Sequence, residues 1–151
     1  MIDLKVVRLI PDAQGGFTET DVPKTLSDDG VVIIDVYGSL FYAGARTLQL
    51  RLPDPGNAQR AAVILRLRGR STLGSTFLSM ISPYAQRLET LDGHLYLTGL
   101  DDAVADNWES NHLPERIGSI KLYRSTPRIG ESTRAALEDA THHLVRRAPD
   151  E

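Results

Sequence analysis

The chain contains no cysteine, so disulfides, thiolate metal sites and cysteine nucleophiles are all excluded. Aromatic residues make up only 6%, with a single tryptophan, so aliphatic side chains have to build the core. A basic surplus is also missing. The formal net charge is −3, which argues against a general nucleic-acid binder that must displace counterions from phosphates. Long apolar runs are absent as well. The purest, Val31-Val32-Ile33-Ile34, stops at Asp35 and falls far short of the roughly 20 residues a membrane span requires. The start, Met1-Ile2-Asp3-Leu4-Lys5, lacks the basic region and apolar stretch of a signal peptide, so the expectation is a soluble intracellular chain that does not itself insert into a membrane.

What remains is enough for one domain. A length of 151 residues with 41% hydrophobic and 25% charged side chains can bury a real core. Leu4 to Ile10 reads as a strand, followed by a turn at Pro11-Asp12-Ala13-Gln14-Gly15-Gly16. Residues 17–30 are polar and read as a loop or a short extended edge. A rhythm then begins. Val31–Tyr37, Ala62–Leu67, His94–Leu100 and Ser119–Tyr123 are short β-rich runs, and helical patterns fill the gaps at the spacing of βαβ units.

Leu40, Phe41, Ala43, Thr47, Leu48 and Leu50 mark the first helical gap. The second, from Phe77 to Leu91, has a strong helical period interrupted by Pro83, which should kink or divide it. The third, Asp101 to Trp108, opens on two acids that suit a helix N-terminus better than they suit a catalytic pair. A last helix, about Glu131 to Val145, has Ala136, Leu137, Ala140 and Leu144 as its buried stripe, and the alanines permit close packing. Residues 1–30 thus lead into a core of 31–145, and 146–151 form a polar tail.

Within the strands, apolar and polar residues alternate, as in Leu65-Arg66-Leu67-Arg68 and His94-Leu95-Tyr96-Leu97. Period two places them on opposite faces. The predicted fold is therefore a single α/β domain with a mixed, mostly parallel sheet and helices packed mainly on one face. Arg66, Arg68, Tyr96, Lys121 and Tyr123 would then mark a second, polar face, either solvated or serving as a docking face for another domain or a second copy. On that reading, Arg66→Glu with Lys121→Glu weakens the association and leaves the fold intact.

The loop Gly69-Arg70-Ser71-Thr72-Leu73-Gly74-Ser75-Thr76 joins a strand to a helix. It matches the phosphate-binding pattern G-x-x-x-x-G-K-[ST] except that Ser75 stands where the lysine must be. A helix start capped by Ser75 or Thr76 is the preferred reading over an NTPase. An anion held on the free N–H groups of Gly74, Ser75 and Thr76 is the functional alternative. His142 and His143 are adjacent on a helix and point apart, and with His94 and His112 they read as surface histidines and not as a metal site. No Gly-x-Ser-x-Gly elbow is present, and no spacing assembles nucleophile, base and orienting group. Neither catalysis nor a cofactor is expected.

The segment Gly38-Ser39-Leu40-Phe41-Tyr42-Ala43, following Val31–Tyr37, resembles the opening of STAS domains at the C-terminus of sulfate permease (SulP) transporters. Ala62–Leu67 and Leu95-Tyr96-Leu97-Thr98-Gly99-Leu100 resemble core strands of that family, and the likeness spans about residues 31–145. The resemblance implies a cytoplasmic regulatory or assembly domain of a transporter for an anion such as sulfate or bicarbonate, with the membrane part lying outside this chain. The implied partners are that transmembrane part, a second copy, or a cytoplasmic protein. Stand-alone relatives, the anti-sigma-factor antagonists, carry Asp-Ser-[Ser/Thr]-Gly and are phosphorylated on the first serine. Gly74-Ser75-Thr76-Phe77 matches that position with Ser75 as the serine, but the aspartate has become Gly74 and the glycine Phe77.

Overall fold

In a computed structural model of the chain, residues 4–110 and 120–147 are described. They form six strands and four helices. The order is β1 (Lys5–Pro11), β2 (Phe17–Thr20), β3 (Val31–Tyr37), α1 (Ala43–Arg51), β4 (Ala62–Arg66), α2 (Ser75–Thr90), β5 (His94–Leu100), α3 (Asp102–Ser110), β6 (Lys121–Arg124) and α4 (Glu131–Arg147). The sheet runs β2-β1-β3-β4-β5-β6. β1 is antiparallel to both of its neighbours, whereas β3 to β6 are parallel. The single α/β domain and mostly parallel sheet expected from the sequence are what the chain adopts.

Residues 17–20, read as loop or edge, form the outer strand of a hairpin. Its turn closes through Asp12, whose carboxylate accepts the N–H groups of Gln14 and Gly16. β1 lies between β2 and β3, so the N-terminal strand is an integral part of the sheet. α2 is continuous across Pro83 instead of being divided there. The ring sits on the exposed side of the helix, and the carbonyl it leaves without a donor belongs to exposed Ser79, where water can serve it.

Register explains the two cores. Ile34, Leu65, Leu97 and Leu122 lie in one row across β3 to β6. They face α1, α2 and α3 and join Leu48, Phe77, Ile81, Leu88 and Trp108 in the larger core. The neighbouring row, Leu9, Ile33, Ile64 and Tyr96, points the other way. It forms a second, smaller core with Ala136 and Ala140 of α4. Three helices therefore cover one face, and the last helix crosses to the other. Both alanines are fully buried, as close approach of helix to sheet requires, while Leu137 and Leu144 are only partly covered.

α4 is pinned at its start by polar contacts. The Ser132 hydroxyl accepts the Gly99 N–H at 2.9 Å, and the Thr98 and Thr133 hydroxyls lie 2.9 Å apart. Gly99 has φ +70°, and a Cβ there would meet the Arg68 backbone at 2.9 Å, so both conformation and space call for glycine. The β5–β6 register shifts at this point.

Leu97 is fully buried in the larger core. Leu97→Ala should cost about 2–5 kcal/mol through lost burial and the cavity left behind. Urea unfolding checks it, and near-normal stability would contradict the assignment of faces.

Candidate functional site

The carboxyl ends of parallel strands are where open α/β sheets place their sites. Here that edge carries the β3–α1 loop (38–42) and the β4–α2 loop (67–74). Arg70 ties the two loops together by donating to the carbonyls of Val36 (3.1 Å) and Gly38 (2.6 Å). Burial lowers the pKa of its guanidinium from the usual arginine value, against a weaker opposing pull from Asp35.

α2 starts at Ser75, and its N-cap is Gly74, which has no side chain to make a capping bond. The expected cap by Ser75 or Thr76 is therefore not formed, because both lie inside the first turn. Ser75 is exposed and Thr76 half-buried. Gly74 has ordinary angles (φ −73°, ψ 159°), so conformation does not demand glycine. Space favours it: a Cβ at position 74 would lie 2.8 Å from Cδ1 of Phe41 and 3.1 Å from its Cε1, and the ring would have to shift. Phe41 lays its ring on this glycine while remaining half-exposed, and Tyr42 beside it is largely exposed. Tyr42 holds φ 48°, a region that a bulky residue rarely adopts. Phe77, where the switch-type motif has glycine, is fully buried among the apolar residues of α2. A cleft of about 400 Å³ separates this loop from α3, lined among others by Thr72, Leu73, Leu78 and Trp108. The Trp108 indole N–H is buried and meets no acceptor among the described residues. Of the two acids that open α3, Asp102 pairs with Arg124 of β6, as does Asp106 one turn further on.

The five residues read as a polar docking face do not form one. Tyr96 is buried beneath α4. Tyr123 is half-buried and donates to Asp139 of α4; burial first, then Asp139, pushes its phenol pKa up. Arg68 donates to the Ser125 hydroxyl (3.0 Å) and the Thr126 carbonyl. Arg66 pairs at 2.8 Å with Asp35, its register partner on β3, whose side chain is only 6% exposed. Only Lys121 is freely exposed. The strand residues do alternate between faces, but α4 covers the face that carries the polar ones.

The histidines are also more than surface decoration. His94, the first residue of β5, packs its ring against His143 of α4, with centroids 4.5 Å apart. His112 lies outside the described residues. Among the described residues, no three His, Asp or Glu side chains gather as a metal site requires.

With this geometry in place, comparison with known families is informative. Residues 23–128 match the STAS domain, well over half of the chain. The chain belongs to the STAS domain family. The matched span covers β3 to β6 and both loops of the carboxyl edge, and it ends before α4 begins. No curated protein matches the chain.

Arg66→Glu is expected to destabilise the fold, because it would strand the buried Asp35 carboxylate beside a second negative charge. Even Arg66→Ala should destabilise by about 3 kcal/mol, as removing one partner of a buried pair does. Lys121→Glu should stay within about 0.5 kcal/mol of the parent, as exposed substitutions do. Denaturant titration of the two variants checks the contrast.

Proposed function

We propose that this STAS domain is the cytoplasmic regulatory and assembly module of a SulP-type secondary anion transporter of the sulfate or bicarbonate class, with no catalysis of its own. The contact of Phe41 with Gly74 carries this reading. Phe41 belongs to the Gly38-Ser39-Leu40-Phe41-Tyr42-Ala43 segment that resembles the transporter branch. Gly74 stands where the stand-alone switches have aspartate. A side chain at 74 would meet the Phe41 ring, so the transporter-type phenylalanine in this position and a switch-type aspartate compete for the same space. Two sequence features 33 positions apart are thus one packing choice. The partner is then the transmembrane part of the same polypeptide, on the cytoplasmic side of the plasma or inner membrane, with a second copy or a cytoplasmic protein as further partners. None of the described helices is long and apolar enough to cross a membrane, so the membrane part is sought outside these residues.

A second reading, a stand-alone switch that binds a kinase-like partner, has one observation in its favour: Ser75 is exposed at the head of α2, where a kinase can reach it. The third idea, a nucleotide site in Gly69–Thr76, has the missing lysine against it.

Two measurements test the reading. Immunoblotting of membrane and soluble fractions should find a membrane-bound band several times larger than 16.6 kDa. A soluble band near that mass would favour the switch. A stability cycle at positions 41 and 74 tests the packing choice itself. Gly74→Asp should cost about 1–3 kcal/mol by overpacking against Phe41. In a Phe41→Ala background the same change should stabilise by about 1 kcal/mol, because the aspartate is then free to cap α2. Equal effects in both backgrounds would defeat the packing argument.

A further inference from the structure

At the amino edge of the sheet, away from the loops just described, a cleft of about 270 Å³ opens between β5–β6 and α4. Its wall is almost entirely titratable. β5 contributes His94 and Tyr96, β6 contributes Lys121 and Tyr123, and α4 contributes Asp139, His142 and His143. The α2–β5 turn adds Asp92, whose backbone carbonyl lies 3.3 Å from His143 Nε2, and Glu89 is near enough to act on His94. The two imidazoles in direct contact belong to different elements, one to the sheet and one to the helix that covers it. Neutral rings pack edge-to-face at this distance. Two imidazolium ions at 4.5 Å, with Lys121 on the same cleft, repel.

We infer that the His94–His143 contact is a proton-released latch, holding the C-terminal half of α4 on β5 when neutral and releasing it when both rings are charged. The carboxylates on the cleft do not cancel the effect. Asp139 accepts the Tyr123 hydroxyl, and the carboxylates that act most on His94 are Asp92 and Glu89. Asp92 and Glu89 favour a charged His94, but burial, then His143, then Lys121 outweigh them and lower its pKa from the usual imidazole value. The sign follows directly. The closed state binds fewer protons than the released one, so the contact is at full strength above about pH 6.5, the ordinary histidine value, and weakens as pH falls through it towards the lowered pKa.

Release would uncover the lower part of the second core, where Ala140 lies against the sheet. It need not unfold the domain, because the other end of α4 is held by Ser132 and Thr133, which do not titrate. The inference is independent of which partner the carboxyl edge serves, since it concerns the opposite edge.

Amide hydrogen exchange of the full chain, corrected for the intrinsic effect of pH, reads it out. Between about pH 7.5 and pH 5, protection over residues 137–145 should fall by roughly tenfold or more, while α2 keeps its protection. His143→Gln should remove most of that response, and Lys121→Met should reduce it. Lys121 is exposed, so the second variant remains informative if the first folds poorly. Unchanged protection over 137–145 in the parent chain overturns the inference. So does a Lys121→Met variant that responds to pH as fully as the parent.

Discussion

Leu9, Ile33, Ile64 and Tyr96 stand in one row across four adjacent strands, and the whole of that side of the sheet is organised by the need to keep them from water. Parallel strands are stable only when both faces are covered. The βαβ crossovers supply three helices, all to the other side. The second face must therefore be closed by something that comes after the last strand. α4 does this with its two alanines against the row, which brings the helix backbone close at the expense of side-chain area. The cover is thin, and polar contacts reinforce it: Ser132 and Thr133 onto β5, Asp139 onto Tyr123, and Arg134, which reaches the Gly15 carbonyl and lies over the Phe17 ring of the hairpin. A helix held by a few point contacts and little apolar area is a natural low-stability unit within a domain.

The carboxyl edge follows a different constraint. There the Phe41 ring of the β3–α1 loop lies on Gly74 of the β4–α2 loop, so a side chain at position 74 would need the ring to shift. Arg70 cross-links the same two loops through main-chain carbonyls. The edge is thus packed by an aromatic ring where a switch protein would place a capping carboxylate, and the helix start is left without any side-chain cap. Half-exposed Phe41, exposed Tyr42 and exposed Ser75 are the side chains this edge presents at its surface.

Much of this was legible in the residues. β3 and β5 begin and end where flanking glycine or aspartate place them, β3 as an apolar run broken only by Asp35 and β5 with Leu95 and Leu97 alternating with His94, Tyr96 and Thr98. The buried side of α2 was legible too, at period 3.6. The second face was misread because its apolar row is short. Asp35, Arg66 and Thr98 form the next row on the same face, so each strand shows one apolar residue followed by one polar one. Tyrosine at 96 suits either environment. Nor does any period reveal that Phe41 meets Gly74 or that His94 meets His143. Those contacts depend on which loop lies beside which and on the face chosen by the last helix. A signal was nonetheless available for the second: Ile33 and Ile64 share a face with the polar residues, and an alanine-striped helix with no other partner was the element left to cover them.

The length of that helix links the two ends of the sheet. Thr133 meets Thr98 near the carboxyl end of β5, and His143 meets His94 at its amino end, so α4 runs back along the strand. Ten residues of helix advance about 15 Å, and the four residues of strand between the two contacts span about 13 Å. The match makes α4 a lever fixed at two points that differ in chemistry. The hydroxyl pair is indifferent to pH in the physiological range, whereas the imidazole pair is not. A helix so mounted responds to acid at one end only, while the carboxyl edge of the sheet, where its other end is fixed, is committed to packing between loops.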